Sequence, residues 1–146
     1  MKIHRIAADA TSEAGPDAVW ALLSDRSTWP SWSPLGAHTG ERPGADGTPD
    51  GLGGIAQFVT GRTRVREEIV EREPPRRLSY ALLSGLPLRD YRAVVELTPA
   101  GGGTHIRWSA TFTPQRPGTG WLYGLVLTRI FRGMVTGLAA AARSRA

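Results

Sequence analysis

THIRWSATFTPQRPGTGWLYGLVLTRIFRGMVTGLAAAARSRA, residues 104–146, changes its apolar period once, and that change decides the fold. Up to Phe112 every second residue is apolar: Ile106, Trp108, Ala110 and Phe112 fall on one side, His105, Arg107, Ser109, Thr111 and Thr113 on the other. Period two marks a strand with one buried and one wet face, because successive Cβ atoms point to opposite sides of the pleat. Pro114 to Gly120 breaks the run. Beyond it Leu122, Val126, Ile130, Met134 and Leu138 recur every four residues, Trp121, Leu125 and Phe131 widen the stripe, and Arg129, Arg132 and Thr136 lie opposite. This pattern predicts a long amphipathic helix whose apolar stripe covers the apolar face of the sheet. Arg129 and Arg132 lie within the apolar run from 121 to 138, which argues against a membrane span. Gly133 and Gly137, one turn apart, either widen a pocket or allow a close approach.

The strand pattern continues toward the N-terminus. IAQFVTG, RTRVREEIVERE, RRLSYALL and DYRAVVELT are short runs separated by Thr60-Gly61, Pro74-Pro75 and Gly85-Leu86-Pro87, and Pro99 to Gly103 leads into the last strand. These are strong breakers, and short connections make consecutive strands antiparallel neighbours. Tyr91, Ala93, Val95 and Leu97 share one phase, as do Leu78, Tyr80 and Leu82; Val65 and Ile69 mark the inward side of their strand, with Glu67 between them on the same phase. One face of this sheet is apolar and aromatic, the other solvated.

Residues 3–11 form a looser strand, and a short helix follows, with Gly15 as cap, Pro16 at the first helical position and Val19, Leu22 and Leu23 as its apolar stripe. Ser24 and Asp25 close it. WPSWSP, residues 29–34, then permits one further turn at most, because its prolines forbid a longer helix. Residues 36–54, GAHTGERPGADGTPDGLGG, have no strong period; a weak edge strand near 36–42 followed by a mobile tip is expected. The Gly-rich part lacks GxxxxGK[ST] and precedes a strand, so it reads as a turn and not as a phosphate loop.

With 146 residues, 40% of them apolar and 21% charged, the chain fits one domain, residues 1–146, with a single core. The net charge of +5 invites a nucleic-acid reading, but the densest basic runs, Arg62, Arg64, Arg66 and Arg76, Arg77, are interleaved with Glu67, Glu68, Glu71 and Glu73. Mixed signs along a strand read as a solvated face, so no nucleic-acid partner is expected. The absence of cysteine excludes disulfides, thiolate metal sites and a cysteine nucleophile. His4, His38 and His105 have no metal-ligand spacing, and there is neither GxSxG nor a dinucleotide fingerprint; no metal and no cofactor are expected. The N-terminus lacks the apolar core of a secretory signal, which makes the cytoplasm the expected location.

The order of these features resembles a known family. A strand, a short helix ending in Ser24-Asp25, WPSWSP, a Gly-rich turn at 51–54, EEIVEREPPRRLSYAL at 67–82, GGGTHIRWSATF at 101–112 and one long terminal helix together look like the START-related superfamily, nearest to the polyketide cyclase/dehydrase-like or SRPBCC proteins. The resemblance implies an α+β helix-grip fold: a curved antiparallel sheet of about seven strands around the long C-terminal helix, two short helices after strand 1, and a hydrophobic cavity between sheet and helix. Six strands are evident from the residues; the segment near 36–42 would be the seventh.

On this architecture the cavity is expected to be walled by Trp32, Glu67, Ile69, Tyr80, Leu82, Tyr91, Trp108, Phe112, Trp121 and Leu125. The resemblance points to Trp32 as the ring facing the pocket, with the other Trp of WPSWSP as anchor; alternatively both rings cap the core. Glu67 is the candidate catalytic residue: a carboxylate in an apolar cavity has a raised pKa and serves as general acid or base, or binds a polar ligand group, unless it snorkels to solvent at the sheet edge. Tyr80 and Tyr91 offer hydroxyls to orient a ligand or are satisfied within the core. Arg64 and Arg66 are expected to pair with cross-strand carboxylates. Three functions fit: a module binding a small hydrophobic, aromatic or lipid-like molecule; an aromatase/cyclase-type enzyme acting on a polyketide-like substrate; and, less well supported, a protein-partner module. The first has the advantage that no partner positioning Glu67 as a base can be named. A monomer or homodimer without stable membrane insertion is expected.

Overall fold

A computed structural model describes residues 2–145. The elements run β1 (His4–Ser12), α1 (Pro16–Leu23), a 3-10 turn (Arg26–Thr28), α2 (Trp29–Trp32), β2 (Ala37–Arg42), β3 (Ile55–Thr60), β4 (Thr63–Glu73), β5 (Arg77–Ser84), β6 (Leu88–Ala100), β7 (Gly103–Pro114) and α3 (Gly120–Arg145). All seven strands form one antiparallel sheet in the order β1-β7-β6-β5-β4-β3-β2. Strands β2 to β7 are a meander, and β1 adds to the outer edge of β7, with His4 opposite Phe112 and Ser12 opposite Thr104. The helix α3 lies along β1 and across the concave face, and α1 packs beside it. This is the expected helix-grip arrangement, including the edge strand near 36–42.

Local chemistry accounts for the element boundaries. Gly15 is the N-cap of α1 with Pro16 inside the first turn, and Ser24 is its C-cap. Asp25 then caps the 3-10 turn by accepting a hydrogen bond from the Ser27 backbone N–H. The two prolines of WPSWSP confine α2 to four residues.

Four irregularities interrupt the register of the sheet, the first at Glu41 on β2 between the pairs Gly40–Ala56 and Arg42–Ile55. Leu83 is an extra residue on β5 between the pairs Arg66–Ser84 and Glu67–Leu82, and Val70 an extra one on β4 between Ile69–Tyr80 and Glu71–Ser79. On β6, Asp90 and Tyr91 together face Phe112, with Asp90 at a φ of 51°. Such bulges bend a strand and re-aim its side chains. The last one changes the phase of β6, so that Leu88 and Tyr91 are buried while Arg89 and Asp90 stay outside.

The core is aromatic at its centre. Trp29, fully buried, stacks on Phe58 (centroids 5.5 Å, 12° between planes) and meets Trp108 edge-on at 5.2 Å. Its Nε1–H donates to the Leu23 carbonyl at 3.0 Å, so the ring's polar atom is satisfied as burial requires. Gly137 explains how α3 comes so close: a Cβ there would overlap the Trp32 carbonyl oxygen, and one at Gly133 would touch Pro34. The glycine pair therefore seats WPSWSP against α3, the close-approach alternative of the two.

The segment 43–54, expected as a mobile tip, carries hydrogen bonds of its own. Its backbone closes on itself through Gly44 N–H to Thr48 O (2.8 Å) and Ala45 N–H to Leu52 O (3.0 Å), and is tied to β4 by Gly53 N–H to Ile69 O and Ile69 N–H to Gly54 O. Asp50 fastens it to the end of the first helix through Arg26, the residue with the least exposure among the charged groups. On the solvated face Arg66 pairs as expected with a carboxylate, Glu41, although one strand further away than its neighbour; Arg64 donates instead to the Gln57 amide oxygen.

Candidate functional site

The concave face of the sheet and α3 do not fill the space between them. A cavity of about 410 Å³ remains, within the range of small-molecule sites. Phe58 and Thr60 of β3, Thr63, Val65 and Glu67 of β4, Tyr80 and Leu82 of β5, and Tyr91 of β6 form the sheet side. Leu122, Tyr123, Val126, Leu127, Ile130, Phe131 and Met134 form the helix side, and Pro34, Leu35 and Leu86 close the ends. Leu122 and Val126 are each about half exposed (46% and 49%), so the cavity opens beside the first turns of α3.

Glu67 is the one carboxylate in this wall. It sits on the inward phase of β4 between the two irregularities of the β4–β5 pair, opposite Leu82. Its side chain is buried, and Oε1 has no hydrogen-bond partner among the described residues. Burial pushes its pKa up to about 7, against a smaller opposing pull from the Arg26 cation. The snorkelling alternative is thereby excluded.

Tyr80 and Tyr91 stand near Glu67 on the two next strands. The Tyr80 hydroxyl accepts from Trp108 Nε1 at 3.0 Å and interacts with the neighbouring Tyr91 hydroxyl. Burial holds both phenols well above their usual pKa, and the nearby Glu67 carboxylate adds to the shift, so both stay protonated at neutral pH.

Behind this wall lies a group that sequence reasoning missed. Arg26 is fully buried and donates from Nε to Asp50 Oδ1 (2.6 Å), from one terminal nitrogen to the Glu67 carbonyl (2.9 Å) and from the other to the Gly54 carbonyl (3.1 Å), while its backbone N–H donates to Asp50 Oδ2 (2.9 Å). It thus fixes the backbone that carries Glu67. Nothing in the sequence pairs a residue beyond a helix end with an aspartate 24 positions later in a Gly-rich segment.

Of the ten residues expected around the cavity, the structure brings Glu67, Tyr80, Leu82 and Tyr91 to its wall. Ile69, Trp108 and Phe112 are inward-facing but belong to the filled core beside it. Trp32 does not face the cavity: its Nε1–H donates to Thr28 Oγ1 (3.0 Å), its ring meets Trp108, and its place at the wall is taken by Pro34 and Leu35. Trp121 and Leu125, each 64% exposed, point to solvent. The stripe of α3 was correct at Leu122, Val126, Ile130 and Met134, and Leu127 joins it at the wall, whereas Trp121 and Leu125 share the exposed side with Arg129 and Arg132. Adding the stripe positions themselves to the expected wall would have found the helix side.

Among the described residues no group of three or more His, Asp or Glu side chains could hold a metal ion. His4 stacks on Phe112, His38 leans on Phe58, and His105 pairs with Asp9 on the solvated face.

Comparison with known proteins agrees with this geometry. The family model described as polyketide cyclase / dehydrase and lipid transport matches residues 4–146. No curated protein matches the chain in sequence. Among solved structures, a protein from Thermobifida fusca is 26% identical with a TM-score of 0.80, the alignment covering 94% of this chain and 92% of that one. A START superfamily protein from Mycobacterium smegmatis is 12% identical with a TM-score of 0.83 over 98% and 99% of the two chains. Norcoclaurine synthase from Thalictrum flavum, solved with dopamine and hydroxybenzaldehyde, is 16% identical with a TM-score of 0.76 over 99% and 89%. The last two likenesses concern the fold alone.

Proposed function

The chain belongs to the polyketide cyclase/dehydrase and lipid transport family, and on that premise we propose that it holds a small, largely apolar molecule in the cavity between the sheet and α3. The observation that carries this proposal is the cavity itself: about 410 Å³ bounded by Val, Leu, Ile, Met and aromatic side chains, with few polar groups. Burying apolar ligand surface there is favourable by roughly 25 cal/mol per Å² before the costs of association. A ligand displaces little ordered structure, because the wall is built on strands and a helix.

The test is binding of a neutral, environment-sensitive naphthalene dye, followed by fluorescence, to the wild type and to Leu82→Trp, whose larger ring occupies the space opposite Glu67. Saturable binding by the wild type and its loss in the variant support the proposal. Equal fluorescence in both, or none in either, would sink it. Native mass spectrometry of the protein purified from its own host then identifies what it retains.

A second function is favoured by one observation. Glu67, with a pKa raised to about 7 by burial in an apolar wall, has the acidity of a general acid or base at neutral pH. An aromatase/cyclase-type enzyme would use the cavity to fold a poly-carbonyl chain and Glu67 to move a proton during dehydration. Glu67→Gln then abolishes turnover with affinity kept within a few fold; loss of affinity with turnover assigns Glu67 to binding. Binding without chemistry is preferred, because no neighbouring group orients the Glu67 carboxylate as a base. As a carrier or sensor the protein works in the cytoplasm, as a monomer or homodimer. Its helix α3, long and apolar enough by composition to cross a bilayer, stays packed on the sheet.

A further inference from the structure

We infer that the cavity selects, among apolar molecules of suitable size, those that end in a hydrogen-bond donor, a hydroxyl or an ammonium, which Glu67 receives. This rests on the cavity-binding function above and specifies the ligand's chemical class.

The polar inventory of the wall supports the inference. Most of its atoms are apolar, so a ligand's orientation is set by its few polar groups. Glu67 lines the cavity and its Oε1 is buried with no hydrogen-bond partner among the described residues; an acceptor left unpaired in the interior is unfavourable, and a ligand donor that reaches the carboxyl group offsets this. The backbone beneath Glu67 is held by Arg26, but the guanidinium is committed to Asp50 and to the carbonyls of Glu67 and Gly54. Arg26 therefore positions Glu67 without satisfying its carboxyl oxygens. Tyr80 and Tyr91 lie on the same wall as Glu67, and both hydroxyls stay protonated. A ligand hydroxyl thus finds an acceptor in Glu67 and a donor in a nearby phenol. An ammonium finds a counter-charge. Where Glu67 is ionised, a carboxylate meets it as a like charge and an ether has no proton to offer it.

Protonation separates the two donors. The groups facing Glu67 are Tyr80 from β5, Tyr91 from β6 and Tyr123 from α3 across the cavity, with the Arg26 cation behind β4; His38 on β2 lies beyond Phe58. Burial holds the His38 imidazole below its usual pKa, while Glu67, pushed up to about 7, changes charge near neutrality. An ammonium ligand needs the ionised form, so its affinity rises as pH passes upward through about 7. A neutral hydroxyl is received by either form, and its affinity changes little.

The experiment uses four probes with one apolar body: 4-butylphenol, 4-butylanisole, 4-butylbenzylamine and 4-butylbenzoate, titrated calorimetrically into the full-length protein at pH 6 and pH 8. The expected result is that at pH 8, with Glu67 ionised, the phenol or the amine binds at least tenfold more tightly than the anisole and the benzoate, and that the amine, if it is the preferred donor, binds several fold more weakly at pH 6. In Glu67→Leu, which removes the buried acceptor and keeps an apolar wall, the phenol-to-anisole ratio falls to near one while the anisole's own affinity is retained. Anisole binding as tightly as phenol and amine in the wild type, or a preference that survives in Glu67→Leu, overturns the donor rule and leaves the cavity function standing. Failure of all four probes to bind overturns both.

Discussion

Arg26 and Asp50 form a buried ion pair, Nε to Oδ1 at 2.6 Å, that joins the end of the first helical segment to the Gly-rich segment before β3. With its two remaining bonds, to the carbonyls of Gly54 and Glu67, Arg26 is the hub through which three separate stretches of chain meet. Replacing one partner leaves the other charge uncompensated in the interior. Arg26→Met or Asp50→Asn is therefore expected to cost about 3–5 kcal/mol in urea unfolding. A loss below about 1 kcal/mol would show that the pair is not needed for the fold.

Gly137 and Gly133 differ in what a side chain would meet, and their alanine variants should differ accordingly. At Gly137 a methyl group runs into the Trp32 backbone carbonyl, so Gly137→Ala is expected to destabilise by about 1–3 kcal/mol, the usual cost of overpacking. At Gly133 it comes to 3.4 Å from Pro34 Cδ, an ordinary contact, and the better helix propensity of Ala makes Gly133→Ala neutral or stabilising by up to about 1 kcal/mol. Thermal melts of the two variants check the contrast; equal melting temperatures contradict it.

The buried Glu67 gives a pH dependence of stability with a definite sign. Its pKa is raised from 4.5 to about 7 in the folded state, so folding favours the protonated form. Its contribution is fully present below about pH 4.5 and is lost as pH rises to about 7, on the order of 3 kcal/mol in all. Glu67→Gln removes this slope. The Glu41 carboxylate, held down to about 2 by hydrogen bonds from Arg66 and Gln57, acts in the opposite sense, its contribution being lost as pH falls from 4.5. Denaturant titrations of wild type and Glu67→Gln between pH 5 and 8 measure the difference; parallel curves rule the shift out.

Removing the Tyr80 hydroxyl leaves the Trp108 indole N–H buried without an acceptor. Tyr80→Phe is expected to cost about 1–3 kcal/mol although the ring is kept. Chemical denaturation with tryptophan fluorescence as readout reports both the stability and the altered Trp108 surroundings.

Trp121 and Leu125, large as they are, face solvent. Trp121→Ala and Leu125→Ala should each change stability by less than about 0.5 kcal/mol and leave the affinity of the naphthalene dye within twofold. A clear loss of affinity would return them to the cavity.

Much of the fold could be read from the residues because its signals are local. Alternation along β5, β6 and β7, the Pro16 start of α1, the prolines that shorten α2 and the four-residue spacing in α3 each express the geometry of one segment. Glu67, Tyr80 and Tyr91 were found at the cavity for the same reason: phase within a strand decides which face a side chain takes, and the sheet has two faces only. The bulge at Asp90–Tyr91 lay outside that logic, yet it keeps Tyr91 in phase with Ala93 and Val95 and alters only what precedes it.

What the tertiary structure alone decided are the relations between segments. Trp121 and Leu125 share the helical phase of Arg129, Arg132 and Thr136, so the period itself put them on the polar side; what the seat of α3 on β1 decides is which part of the apolar side lines the cavity, and Leu122 and Val126 fall there. Trp32 was assigned to the cavity by likeness, but the close approach permitted by Gly137 turns α2 so that Pro34 and Leu35 take that place. The Arg26–Asp50 pair is the clearest case, since two charges in segments without period carry no sign of each other until folding brings them within a hydrogen bond. Short-range sterics and periodicity specify elements and faces, whereas long-range packing selects which neighbours those faces acquire.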